Sequence, residues 1–110
     1  MVLVEAGKLN KRVSILRPPG EDEADSWGQP LDDWPEVCKV WAGIHPLSGR
    51  ERIAAAQVDA DVTTRIPIRY RPGIDRTMVV KYKNQEFEIL YTIHPEYNRR
   101  ELQLMCKERQ

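Results

Sequence analysis

Apolar and polar residues alternate in short runs along this chain, and that two-residue period constrains the fold more than any other feature. Val13 and Ile15 share one face of a first run over 12–17. Val40, Ala42 and Ile44 share one face of a second, over 37–45. Ile66, Ile68 and Tyr70 alternate with Arg65, Pro67 and Arg69 in a third, over 63–71. Residues 78–82 and 85–93 flank Lys83-Asn84, with Phe87, Ile89, Tyr91 and Ile93 on one side, and 101–107 aligns Leu102, Leu104 and Cys106. Such alternation predicts strands with one buried face. Asn84 is expected to supply the left-handed conformation that a two-residue hairpin turn needs. Six short strands point to a sandwich or a barrel, and in 110 residues closing the sheet removes its exposed edges. The expected fold is therefore all-β, a small antiparallel six-stranded β-barrel with one short helix or long loop between strands two and three. Its expected core is Val13, Ile15, Val40, Ala42, Ile44, Ile66, Ile68, Tyr70, Phe87, Ile89, Leu102 and Leu104.

The excursion between strands two and three covers 46–61. Pro46 has no N–H to donate and is expected to interrupt the ladder. Ser48-Gly49-Arg50-Glu51 has the S-x-x-E spacing of a capping box. In that motif the Ser48 hydroxyl would accept from the Glu51 N–H while the Glu51 carboxylate reaches back to Ser48. The small and helix-favouring residues Ile53 to Val58 follow, enough for about three turns. Only Ile53, Val58 and alanines give this helix an apolar face, so its grip on a barrel is expected to be weak.

One domain over 1–110 is expected, with 1–8 a flexible tail and 18–36 a long acidic loop or hairpin excursion. Lys plus Arg and Asp plus Glu each total 17, so the formal net charge is zero. A free-standing nucleic-acid binder would carry a basic excess. No apolar run approaches the length of a membrane span, and MVLVEAGKLNKR has too short an apolar stretch for a signal peptide. Two cysteines, Cys38 and Cys106, read as reduced inward-facing thiols of a cytoplasmic chain.

Catalytic and metal-binding patterns are weak. His45 and His94 each precede a proline and lack further ligands at metal-site spacing. The acidic residues between Glu21 and Asp33 do not match a calcium loop, and Ser48-Gly49-Arg50 lacks the glycines and G-K-[ST] of a phosphate loop. No enzyme, no cofactor and no metal is expected.

Arg65, Arg69 and Arg71 form a basic stripe on the outer face of the third strand. It can pair with carboxylates such as Glu86 and Glu88, form a subunit interface, or contact phosphate, the last being disfavoured by zero net charge. Pro67 in the same strand suggests an edge without a neighbour in the monomer, open to a strand from another subunit. Trp41 is left outside by the register of Val40 and Ala42. It either packs under the acidic loop beside Trp34 or meets a partner.

Several of these stretches together resemble a known family. Trp41-Ala42-Gly43-Ile44-His45-Pro46-Leu47-Ser48-Gly49-Arg50-Glu51, followed by a small-residue helix and Arg65-Ile66-Pro67-Ile68-Arg69-Tyr70-Arg71-Pro72-Gly73, is similar to the head–tail joining proteins of tailed phages, also called head-closure or stopper proteins. The opening from Gly7 to Ile15 and the ending from Asn98 to Leu104 share the likeness. Pro67 departs from the polar or basic residue more common there, and the 83–84 turn lacks the family's usual glycine. The resemblance implies a virion-assembly protein; the sparse apolar face of 46–61 adds the expectation that the isolated chain is mostly monomeric. It would form a ring beneath the portal and adaptor, retain packaged DNA and present the surface that meets a tail terminator protein. It also implies that the excursion points into the channel, giving Leu47, Ser48, Arg50, Glu51, Ile53 and Gln57 as channel residues. Trp41, Arg65, Arg69 and Arg71 are the interface candidates. DNA would be a passing, non-specific neighbour, and no membrane is involved. The alternative is a small β-barrel module binding nucleic acid or peptide, which calls for exposed aromatics interleaved with basic residues on one face.

Overall fold

The computed structural model describes residues 9–18, 34–94 and 100–109. The expected tail over 1–8 and most of the excursion over 18–36 lie outside the described residues. The elements are β1 (Lys11–Leu16), β2 (Glu36–Ala42), β3 (His45–Pro46), α1 (Gly49–Ala56), β4 (Thr64–Arg69), β5 (Val79–Tyr82), β6 (Gln85–Ile93) and β7 (Glu101–Glu108). The strands follow the order β2-β1-β5-β6-β7-β4-β3, and β2 also meets β4 where Ala42 stands opposite Ile68. That pairing closes six antiparallel strands into the expected barrel, with one short helix on its outside.

The interior follows the alternation. Val13, Ile15, Ala42, Ile66, Ile68, Val80, Phe87, Ile89, Leu102, Leu104 and Cys106 form one buried cluster, with Cys38, Val40 and Ile44 half-buried against it. Tyr70 is not part of it. It lies one residue beyond β4, half-exposed, with its ring edge-on to His94 at 5.4 Å between centroids. Tyr91 and Ile93 are also outside. A bulge between Ile89 and Tyr91 sets Tyr91 opposite Met105, an outward residue of β7. One extra residue flips every later side chain to the other face, so Tyr91 and Ile93 leave the core.

The second predicted strand is broken. Its ladder stops at Ala42 and resumes as β3, so the gap falls at Gly43-Ile44 and not at Pro46, which stands opposite Thr64. The gap explains Pro67. The Pro67 carbonyl accepts from the Gly43 N–H at 3.0 Å. In an extended strand a residue's N and C=O point to the same side, so the missing donor of Pro67 faces this gap, where no regular ladder bond is lost. β4 has β7 on one side and β2 with β3 on the other, so the barrel is closed here. The expected open edge is absent.

At the β5–β6 turn the left-handed residue is Lys83, at φ 53°, and not Asn84. Positive φ at only the first central residue is the II′ arrangement, which favours Gly there. The Lys83 ammonium lies 5.3 Å from the Tyr82 ring centroid, a contact that offsets part of the backbone cost. Lys83→Gly is expected to stabilise the fold by about 0.5–1 kcal/mol. A urea midpoint unchanged or lower than wild type would show that the turn is not strained.

Candidate functional site

α1 begins irregularly. Gly49 enters it at φ +33°, a conformation open to Gly and costly for other residues. Ser48 is the N-cap, but its side chain makes no capping bond; the Glu51 N–H instead donates to the Ser48 backbone carbonyl at 2.9 Å. The expected capping box is therefore absent. The Glu51 carboxylate has another partner, the Arg65 guanidinium on β4 at 2.9 Å. An ion pair to a neighbouring strand competes with the short reach back to Ser48, and here it prevails.

The helix has eight residues, about two turns rather than three. Along its length only Ala55 is buried, and Ile53 and the following Val58 are each 68% exposed. Its flanks are held more firmly. Leu47 and Val62 are buried with Ala55 and Met105 against Leu90 and Tyr91, and the Leu47 N–H donates to the Thr63 carbonyl at 2.9 Å. Between α1 and the barrel wall runs a groove of about 510 Å³, walled by apolar residues including Val58, Ile93 and Met105 and rimmed by the Glu51–Arg65 pair. Of the proposed channel residues, Ser48, Arg50, Ile53 and Gln57 are exposed, Glu51 is ion-paired and Leu47 is buried as an anchor.

The basic stripe does not act as one unit. Its neighbour across the ladder is β7, so Glu86 and Glu88, on β6, are not its partners; Arg69 stands opposite Glu101. Arg65 is engaged by Glu51. Arg71 lies beyond β4, exposed, close enough for its charge to act on Cys38. Arg69 joins Trp41, Leu9 and Asn10 around a concavity of about 350 Å³. Trp41 is 53% exposed, with the Arg12 guanidinium carbon 5.4 Å from its ring centroid. It is not beside Trp34, which precedes β2 at the opposite end, on the order of 20 Å away along extended chain. Sequence reasoning missed Arg12, whose placement depends on the β1–β2 register.

Both thiols face inward. Burial pushes the Cys106 thiol far up, and burial also raises Cys38, partly opposed by Arg71 and reinforced by Glu36. A raised pKa means less thiolate at a given pH, and thiolate is the reactive form. At pH 8 iodoacetamide is expected to leave Cys106 unmodified in the folded protein and to modify Cys38 more slowly than free cysteine. Rapid modification of Cys106 under native conditions would contradict its buried position. Among the described residues, no group of three or more His, Cys, Asp or Glu side chains is placed to hold a metal, and no helix is long and apolar enough to cross a membrane.

The solution structure of protein SF1141 from Shigella flexneri 2a superposes with a TM-score of 0.66 at 26% identity, over 96% of each chain. Head completion protein gp7 of Enterobacteria phage HK97 is 27% identical over 109 residues, 94% of this chain and 96% of that protein. The sequence profile of the phage head completion proteins matches residues 4–109. With nearly its whole length matched, this chain belongs to the phage head completion protein family, whose role is structural, in the assembly of the phage head.

Proposed function

We propose that this protein is a non-enzymatic head–tail connector. Its copies form a ring that docks beneath the portal and adaptor, retains packaged DNA and presents the attachment surface for a tail terminator protein. It sits at the head–tail interface of the virion and is a monomer in the host cytoplasm before docking. The segment 46–61 is its movable element. The observation that carries this reading is the uneven hold on that segment: Leu47 and Val62 are buried at its two ends, while α1 between them buries only Ala55. A gate has to move while its frame stays rigid, and weakly packed elements open at low free-energy cost.

In this reading Ser48, Arg50, Ile53 and Gln57 face the channel, and the exposed Glu51–Arg65 pair acts as a latch of modest strength. Trp41, Arg69 and Arg71 belong to surfaces that meet neighbouring proteins. DNA is blocked sterically, without reading of its sequence. Hydrogen exchange provides the test. In the isolated monomer, amides of 50–57 are expected to exchange much faster than those of the barrel strands, and in docked rings they are expected to become protected by neighbouring copies. Strong, equal protection in both states would make the segment ordinary scaffold.

A further inference from the structure

Three strands converge on Trp41. Arg12 on β1 stands opposite it in the ladder and covers one side of the ring. On the other side, the register that sets Ala42 against Ile68 brings Arg69 of β4 next to it, and the two line the same concavity with Leu9 and Asn10. Lys39, two residues before Trp41 and so on the same face of β2, is exposed. Among the described residues no ion pair is seen for Arg12 or Arg69; the carboxylate nearest in the ladder is Glu101, opposite Arg69. A half-exposed tryptophan flanked by arginines is the composition of an interface anchor and not of a solvated barrel wall.

We propose that this face of β1, β2 and β4 docks an acidic segment of a neighbouring virion protein, with a carboxylate held between Arg12 and Arg69 and an apolar side chain in the concavity against Leu9 and Trp41. The proposal rests on the connector reading above and gives one of its surfaces a partner chemistry. Guanidinium forks suit a carboxylate, since each offers paired N–H donors in one plane. Nucleic acid fits less well. A single strand wants successive stacking platforms, and among the described residues Trp41 is the one ring lining this concavity, with one of its faces taken by Arg12. The concavity of about 350 Å³ suits one or two side chains.

The test is photocrosslinking in assembled particles. Lys39 is replaced by p-benzoylphenylalanine, which leaves Trp41, Arg12 and Arg69 intact, and the particles are irradiated and digested for mass spectrometry. The expected product joins residue 39 to a peptide of another virion protein rich in Asp and Glu. Its yield is expected to fall at least about tenfold when Arg12→Glu and Arg69→Glu are added. Should that pair of substitutions unfold the barrel, Arg12→Gln with Arg69→Gln applies the same comparison without reversed charge. A crosslink to DNA, to another copy of this chain or to a peptide without acidic excess overturns the proposal, as does a missing crosslink or a yield indifferent to both charge variants. Absence of the chain from particles would reject the connector reading and this one with it. Presence with the wrong crosslink rejects this one alone.

Discussion

Ile68→Ala is expected to lower the unfolding free energy by about 2–5 kcal/mol, the usual cost of cutting a buried isoleucine to alanine. Ile68 is completely buried and stands opposite Ala42 on one flank and Leu102 on the other, at the seam that closes the barrel. Its neighbours belong to a closed ring of strands, which limits how far they can collapse into the space. A domain of this size has a total stability of about 5–15 kcal/mol, so the loss would be a large share. In urea the midpoint should fall by roughly 1 M or more. Ile93→Ala is the matched control. Ile93 has the same side chain but lies past the β6 bulge and is exposed, so its loss is expected to cost less than about 1 kcal/mol. Equal midpoints for the two variants would mean that the bulge or the closing register is misplaced.

Replacing residues 50–57 with a short Gly–Ser bridge is expected to separate folding from function. The barrel would lose the packing of Ala55 and the exposed Glu51–Arg65 pair, together about 1–2 kcal/mol, and should still fold. Leu47 and Val62 would keep the ends of the bridge in place. Heads carrying this variant should dock the ring and fill, then lose most of their DNA. The measurement is DNA content of purified heads, with incorporation of the variant checked on the same particles. Full retention of DNA by heads that contain the variant would remove the gate assignment while leaving the barrel and its family untouched.

The contrast between Ile68 and Ile93 also marks how far sequence alone reaches. A two-residue period is a local property, and four inward pairs were legible from it: Val13 with Ile15, Ile66 with Ile68, Phe87 with Ile89, Leu102 with Leu104; the inward Val80 of β5 was not, nor was the departure of Tyr70 from the core. The bulge at Leu90 shifts that period by one residue, and nothing in Ile89-Leu90-Tyr91 announces it, because all three residues are apolar. The capping spacing at Ser48 was equally clear as a pattern. Its outcome depended on Arg65, which lies fourteen residues beyond Glu51 and reaches it only once β4 is in place.

What the sequence by itself determined was the class of the fold, most of the residues of its main interior cluster and the sparse apolar face of α1, because alternation and composition act within a few residues of chain. The order of the strands was decided only by tertiary structure. The placement of β7 beside β4 gave the arginine stripe Glu101 as a cross-ladder neighbour and not Glu86 or Glu88, and the closure of β2 on β4 assembled Arg12, Trp41 and Arg69 into one surface. Strand pairing is chosen by which complete arrangement buries every apolar face and leaves no edge open. That choice is a property of the whole barrel, so no single stretch of the chain encodes it.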